Sequence, residues 1–85
     1  MKNLKIMKRE YKINDFYQSV ILLTTGYQLL RLERENSKYS VFVFADPEEK
    51  ATSTISDYWE RKIKVEARSL IENINELKTR LYTNM

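Results

Sequence analysis

The run Tyr39-Ser40-Val41-Phe42-Val43-Phe44 constrains this chain more than any other segment. It is aromatic and β-branched almost throughout, the composition of a pleated strand. Successive side chains in a strand point to opposite faces, so Tyr39, Val41 and Val43 lie on one side and Phe42 and Phe44 on the other. Both faces are apolar. The segment is therefore expected at the centre of a sheet, covered on both sides. Glu35-Asn36-Ser37-Lys38 precedes it and suits a tight turn. Tyr27 to Glu35 then reads as the other arm of a hairpin with Lys38 to Ala45.

The rest of the chain must build a domain round that strand with little material. Eighty-five residues form one core. There is no Cys, which excludes disulfides, and no His, which excludes the usual zinc site. Small domains often gain stability from such staples or from a partner chain, and here a partner chain is the one left. The lack of Cys fits a reducing compartment, and no apolar run approaches the ~18 residues of a membrane span. No apolar stretch of signal-peptide length follows the basic N-terminus, so a cytoplasmic location is expected.

Charge is unevenly distributed. Lys2, Lys5, Lys8, Arg9 and Lys12 stand against Glu10 in the leader, a net of +4, while the remainder carries ten basic and eleven acidic residues. The overall +3 thus resides in the leader. Residues 1–9 are expected to form a flexible basic extension, with Met7 offering a second start, and residues 10–85 a single α+β domain. A basic leader is a candidate nucleic-acid contact, but the near-neutral body lacks the basic patch of such proteins.

Local signals order the remaining elements. Lys8 to Ile13 reads as a short strand. Asp15 with Gln18 three residues on forms a capping box, Phe16, Val20 and Leu23 make a helical stripe, and Gly26 stops the helix, predicting one over 15–25. Asp46-Pro47-Glu48-Glu49 is another helix start, with Asp46 as cap, Pro47 in the first turn and Glu49 closing a capping box. The helix runs to about Arg61, with Ala51, Ile55, Tyr58 and Trp59 as its buried stripe. Ile63 and Val65 alternate with Lys62, Lys64 and Glu66, the pattern of a half-exposed strand. Ala67, Leu70, Ile71, Ile74, Leu77 and Leu81 recur at helical spacing and predict an amphipathic helix over 67–82. The expected order is strand-helix-strand-strand-helix-strand, a ferredoxin-like (split βαβ) antiparallel sheet with two helices, plus the extra C-terminal helix. That last helix either covers the second sheet face or pairs with its copy in a homodimer.

The chain offers little chemistry. Without His or Cys, acid–base and nucleophilic catalysis fall to carboxylates, Lys and Tyr. Asp57 and Glu60 share a helix face, as a solvated surface also would. A single Gly precludes both Gly-rich phosphate motifs. No catalytic residue, cofactor or metal ligand is assigned, and a non-enzymatic protein is expected. Candidate binding residues are Trp59, Arg61, Lys62, Lys64 and Arg68, an aromatic–basic group of the kind that binds single strands, together with Tyr39. Against that, Trp59 continues the stripe of Ile55 and Tyr58, which places it in the core. Tyr39 to Phe44 also resembles the aromatic third strand of RNA-recognition motifs. The small residues expected before its aromatic pair are missing, and Lys8 to Ile13 lacks a matching aromatic strand. The ten aromatic residues favour a protein partner, since Tyr and Trp bury area at low entropic cost.

One resemblance runs over residues 10–82. Tyr11-Lys12-Ile13-Asn14-Asp15-Phe16-Tyr17, Thr25-Gly26-Tyr27-Gln28-Leu29, Phe42-Val43-Phe44, Tyr58, Val65-Glu66-Ala67-Arg68 and Leu77-Lys78 follow one another as in a family of small uncharacterised domains of bacteria, archaea and phages. The resemblance implies a prokaryotic or mobile-element accessory protein and supplies no activity, ligand or site. The function expected from all this is a small binding module for protein, either itself or a regulated target, with nucleic-acid binding as the alternative.

Overall fold

The computed structural model describes residues 9–34 and 39–83. The elements are β1 (Glu10–Ile13), α1 (Phe16–Thr24), β2 (Leu29–Arg34), β3 (Ser40–Ala45), α2 (Ala51–Trp59) and α3 (Ala67–Thr83). The class is α+β, and the order fits a ferredoxin-like arrangement with an extra C-terminal helix. The strands form one antiparallel sheet in the order β1-β3-β2. β3 is therefore central, as its composition demands.

Residues directly opposite in an antiparallel pair share a face. Tyr11 faces Phe44, Ile13 faces Phe42, and Leu29 and Leu32 face the same two phenylalanines from the other side. These six side chains form the inner face. Phe42 and Phe44 are buried there in a core with Val20 and Leu22 of α1, Ala51 of α2 and Leu77 of α3. All three helices thus contribute to one core on one face. The C-terminal helix settles there beside α1, with Asn73 Nδ2 donating to Thr24 Oγ1 at 3.0 Å and Arg34 Nη2 reaching the Leu81 carbonyl at 3.3 Å.

The opposite face carries Glu10, Lys12, Arg31, Glu33, Val41 and Val43. A bulge in β2 sets Leu30 as well as Arg31 against Val43. Among the described residues the buried core lies on the other face, yet Val43 is 0% exposed. Its register partners on the two flanking strands are Lys12 and Arg31.

Helix ends follow their sequence signals unequally. Asp15 caps α1 by accepting from the Gln18 N–H at 2.8 Å. Beyond Thr24, Gly26 takes φ 111°, and the bonds Gly26 N–H to Leu23 O and Tyr27 N–H to Leu22 O close the helix in a Schellman motif. At α2 the expected start moves. The N-cap position falls at Lys50 and not at the expected Asp46, because Pro47, Glu48 and Glu49 form a turn instead of the first helical turn. Glu49 adopts φ 56°, its N–H bonds the Asp46 carbonyl, and the Asp46 carboxylate receives the Lys50 and Ala51 N–H groups. The helix begins at Ala51, and Glu49 pairs with Arg9 rather than closing a capping box.

The strand expected at Ile63 and Val65 does not form. Residues 62–66 alternate exposed and half-buried, the pattern read from the sequence, but they join no ladder. Alternation reports a chain lying on an apolar surface; it does not supply a strand to pair with.

Candidate functional site

α2 ends at Trp59 and delivers the candidate residues into the connection to α3. Trp59 is 67% exposed, so it lies outside the core to which Ala51 and Ile55 belong, and Tyr58 before it is half-buried. Its ring meets Tyr58 edge to face, with centroids 5.4 Å apart. The stop itself is a second Schellman motif: Arg61 N–H bonds Tyr58 O at 3.1 Å and Lys62 N–H bonds Asp57 O at 2.9 Å. The left-handed position of that motif normally belongs to Gly. Here it is held by Arg61, at φ 65°. A strained backbone therefore turns the chain immediately after an exposed tryptophan.

Arg61, Lys62, Lys64 and Arg68 all reach solvent from this connection. Two of them are engaged. Lys62 pairs with Glu60 at 3.0 Å and Arg68 with Glu72 at 3.1 Å, one turn along α3. Arg61 and Lys64 have no ion pair among the described residues. From Asp57 to Glu72 the four cations are matched by Asp57, Glu60, Glu66 and Glu72. The surface is an exposed aromatic on a segment whose charges balance.

Tyr39 is not part of it. It is 54% exposed and lines a groove of about 410 Å³ with Phe16, Arg34, Leu81 and Tyr82. Leu81 and Tyr82 lie at the far end of α3 from Arg68. At 1.5 Å per residue, the axis between Arg68 and Leu81 is about 20 Å long. The six candidate residues thus fall into two surfaces.

The leader residues are also divided. Lys2, Lys5 and Lys8 lie outside the described residues. Arg9 is tied to the domain, since its carbonyl accepts the Asp46 N–H and its guanidinium holds Glu49 at 3.1 Å. Lys12 is in β1 and pairs with Glu33 at 3.3 Å.

The strand aromatics Phe42 and Phe44 lie on the inner face, in the core, and among the described strand residues the open face carries a charge network. Arg31 holds Glu10 with Nη1 and Nη2, both at 3.0 Å, and Glu33 with Nε at 2.9 Å. The Arg31 hydrogen bonds lower the pKa of Glu10, and likewise that of Glu33, which Lys12 also bonds. The same bonds raise the pKa of Arg31. Sequence reasoning missed this network, although Arg31-Leu32-Glu33 and Glu10-Tyr11-Lys12 each place two charges on one face of a strand.

Of the other carboxylates named from the sequence, all but Asp57 have side-chain partners among the described residues. The Asp46 carboxylate accepts the Lys50 N–H, Glu48 pairs with Lys50, and Glu60 pairs with Lys62. No helix among the described residues is long and apolar enough to cross a membrane.

Residues 8–83 match the family model described as "Domain of unknown function (DUF5659)". The chain belongs to this family. The match spans every described element. No curated protein and no solved structure matches the chain.

Proposed function

We propose that this DUF5659 domain is a non-enzymatic, cytoplasmic binding module whose partner is protein, acting by self-association or by regulating another protein. The observation that carries the reading is Trp59, a large aromatic surface 67% exposed at the end of a helix. Exposed tryptophans beside arginines are the residues most often found as interface hot spots. The charges of residues 57–72 sum to zero, which suits a protein rim and gives nucleic acid little net attraction. Arg61 in a left-handed conformation adds weight, because strained backbone concentrates at functional positions.

Trp59 is the sole tryptophan, so its emission reports directly on the site. Partner binding should shift that emission to shorter wavelength. Trp59→Ala should weaken binding at least tenfold, the loss expected of a hot spot of about 2 kcal/mol. Affinity should change little between low and moderate salt. An unshifted emission on partner binding, with Trp59→Ala binding as the parent does, would refute the assignment.

Nucleic-acid binding is the second reading, favoured by Arg61 and Lys64, whose charges are unpaired among the described residues. It requires oligonucleotide binding that falls steeply with salt and disappears on charge reversal at these two positions.

A further inference from the structure

The outer edge of β1, like that of β2, has no strand beside it among the described residues. The Asp46 N–H donates to the Arg9 carbonyl at 3.1 Å, in register with the pair Glu10–Ala45. Arg9 and Asp46 are therefore a hydrogen-bonded pair. Antiparallel ladders alternate, so Tyr11 and Ile13 turn their backbone groups toward β3, while Glu10 and Lys12 turn theirs away from the sheet. Among the described residues no backbone group pairs with Glu10 or Lys12 on that side. The strand expected at Ile63 and Val65 would have extended this sheet, and it does not form.

We propose that β1 pairs with β1 of a second copy, antiparallel about a two-fold axis through Tyr11, joining two sheets into one continuous sheet. The inference is independent of the Trp59 surface. Its ground is register. An axis normal to the sheet keeps both sets of helices on one side, so residues opposite one another must share a face. With only β1 available, the axis can pass through Tyr11 or through Lys12. The Lys12 register sets Lys12 against Lys12, which is destabilising. The Tyr11 register sets Glu10 against Lys12 of the second copy, and Lys12 against its Glu10.

These are also the residues whose N–H and C=O groups point outward, so each Glu10–Lys12 pair can exchange both its backbone bonds. Charge and backbone thus select the same register. Glu10 keeps its bonds to Arg31 in the process, because a carboxylate has about four acceptor sites and Arg31 uses two. On the inner face Tyr11 meets Tyr11, an aromatic cross-strand pair of the kind that stabilises sheets. A Lys on an edge strand ordinarily discourages pairing. Here it discourages every register but the one that meets Glu10.

The absence of Cys makes the register directly testable. In this register the Cα atoms of Glu10 and Lys12 across the interface are ~5.5 Å apart, within disulfide reach. Like residues are offset diagonally by about 7–8 Å, outside it. Mixing the Glu10→Cys and Lys12→Cys variants under mild oxidation should give a covalent heterodimer, with little covalent homodimer from either variant alone. Lys12→Pro removes the outward N–H together with the exposed Lys12–Glu33 ion pair but no backbone bond to β3, so it should leave the circular dichroism spectrum intact and yield monomer in light scattering.

Equal cross-linking of each variant with itself, or no cross-link in the mixture, would overturn the proposal. So would a dimer that persists in Lys12→Pro. A dimer lost in Trp59→Ala but kept in Lys12→Pro would transfer self-association to the Trp59 surface. A dimer kept in Trp59→Ala and lost in Lys12→Pro supports the β1 pairing whatever becomes of the Trp59 reading.

Discussion

Arg31 reaches from one edge of the sheet to the other to hold Glu10 through both carboxylate oxygens, at 3.0 Å each, and in doing so lies across the central Val43. Guanidinium and carboxylate planes match in such a fork, so the pair fixes geometry as well as charge. The aliphatic stem of an arginine can cover apolar surface while its head stays in water. Such a stem beside Val43 contributes to its burial, since Val43 is 0% exposed and Arg31 is its partner in β2.

The network should make stability depend on pH in a defined direction. Arg31 hydrogen bonds hold the Glu10 and Glu33 carboxyls below their ordinary range. A carboxyl with a lowered folded-state pKa contributes stability above its unfolded pKa, about 4.3 for Glu, and loses it as pH falls through the folded value. Arg31→Met keeps much of the cover over Val43 and removes the bonds. Its melting temperature is expected to fall below that of the parent at neutral pH, and the two should converge as pH drops below the carboxylate range. Thermal melts at several pH values check this; a gap that stays constant into acid would show that the network contributes nothing through charge.

The two Schellman motifs make opposite predictions. Gly26 has φ 111° and nothing within 4 Å of an added Cβ, so Gly26→Ala introduces backbone strain and no clash. The expected cost is about 1–3 kcal/mol. Arg61 occupies the equivalent position of α2 at φ 65°, where Gly is the unstrained choice. Arg61→Gly relieves roughly 1–2 kcal/mol of left-handed strain and gives back part of it as chain entropy, for a small net gain. Urea melts of both variants should move in opposite directions. A destabilised Arg61→Gly would mean that the arginine side chain holds the turn.

Much of the fold was legible because short-range rules decided it. Phe42 and Phe44 announced a central strand, Asp15 and Gly26 bracketed α1, and the spacing of Leu70, Ile74, Leu77 and Leu81 announced α3. The misses share a different cause. Ile63 and Val65 alternate as a strand does, but pairing depends on a vacant ladder, which no local pattern specifies. Pro47 and Glu49 carry a helix-start signature, and the turn closed by the Glu49 N–H on Asp46 outcompetes it. Trp59 falls in register with Ile55 on α2, yet the helix ends there and the ring turns outward. The candidate site was half legible: the aromatic and basic residue types could be named, but not the carboxylates beside them or the distance to Tyr39.

Asp46 tests how the loop before α2 is held. It is 7% exposed, and its carboxylate satisfies the first N–H groups of the helix, from Lys50 at 2.9 Å and Ala51 at 3.2 Å. Asp46→Ala leaves those donors without an acceptor, and a cap lost in this way costs about 1–2 kcal/mol. Asp46→Asn retains one acceptor oxygen and should lose less. Amide hydrogen exchange at Lys50 and Ala51 should accelerate in Asp46→Ala ahead of the rest of α2. If exchange there is unchanged, the turn over Pro47 to Glu49 holds the helix start without the cap.

The orientation of α3 can be tested with two residues on its different faces. Leu77 is fully buried against the core of α1 and β3, whereas Ile71 is more than half exposed. Leu77→Ala should cost about 2–5 kcal/mol, a large part of the ~5–10 kcal/mol that holds a domain of this size together. Ile71→Ala should fall within about 0.5 kcal/mol of the parent, as surface changes do. Were α3 instead an intersubunit helix that leaves the core on dissociation, the Leu77→Ala penalty would grow as protein is concentrated, because only the assembled state would pay it. A penalty independent of concentration places α3 within its own subunit, and leaves β1 and Trp59 as the surfaces proposed for a partner.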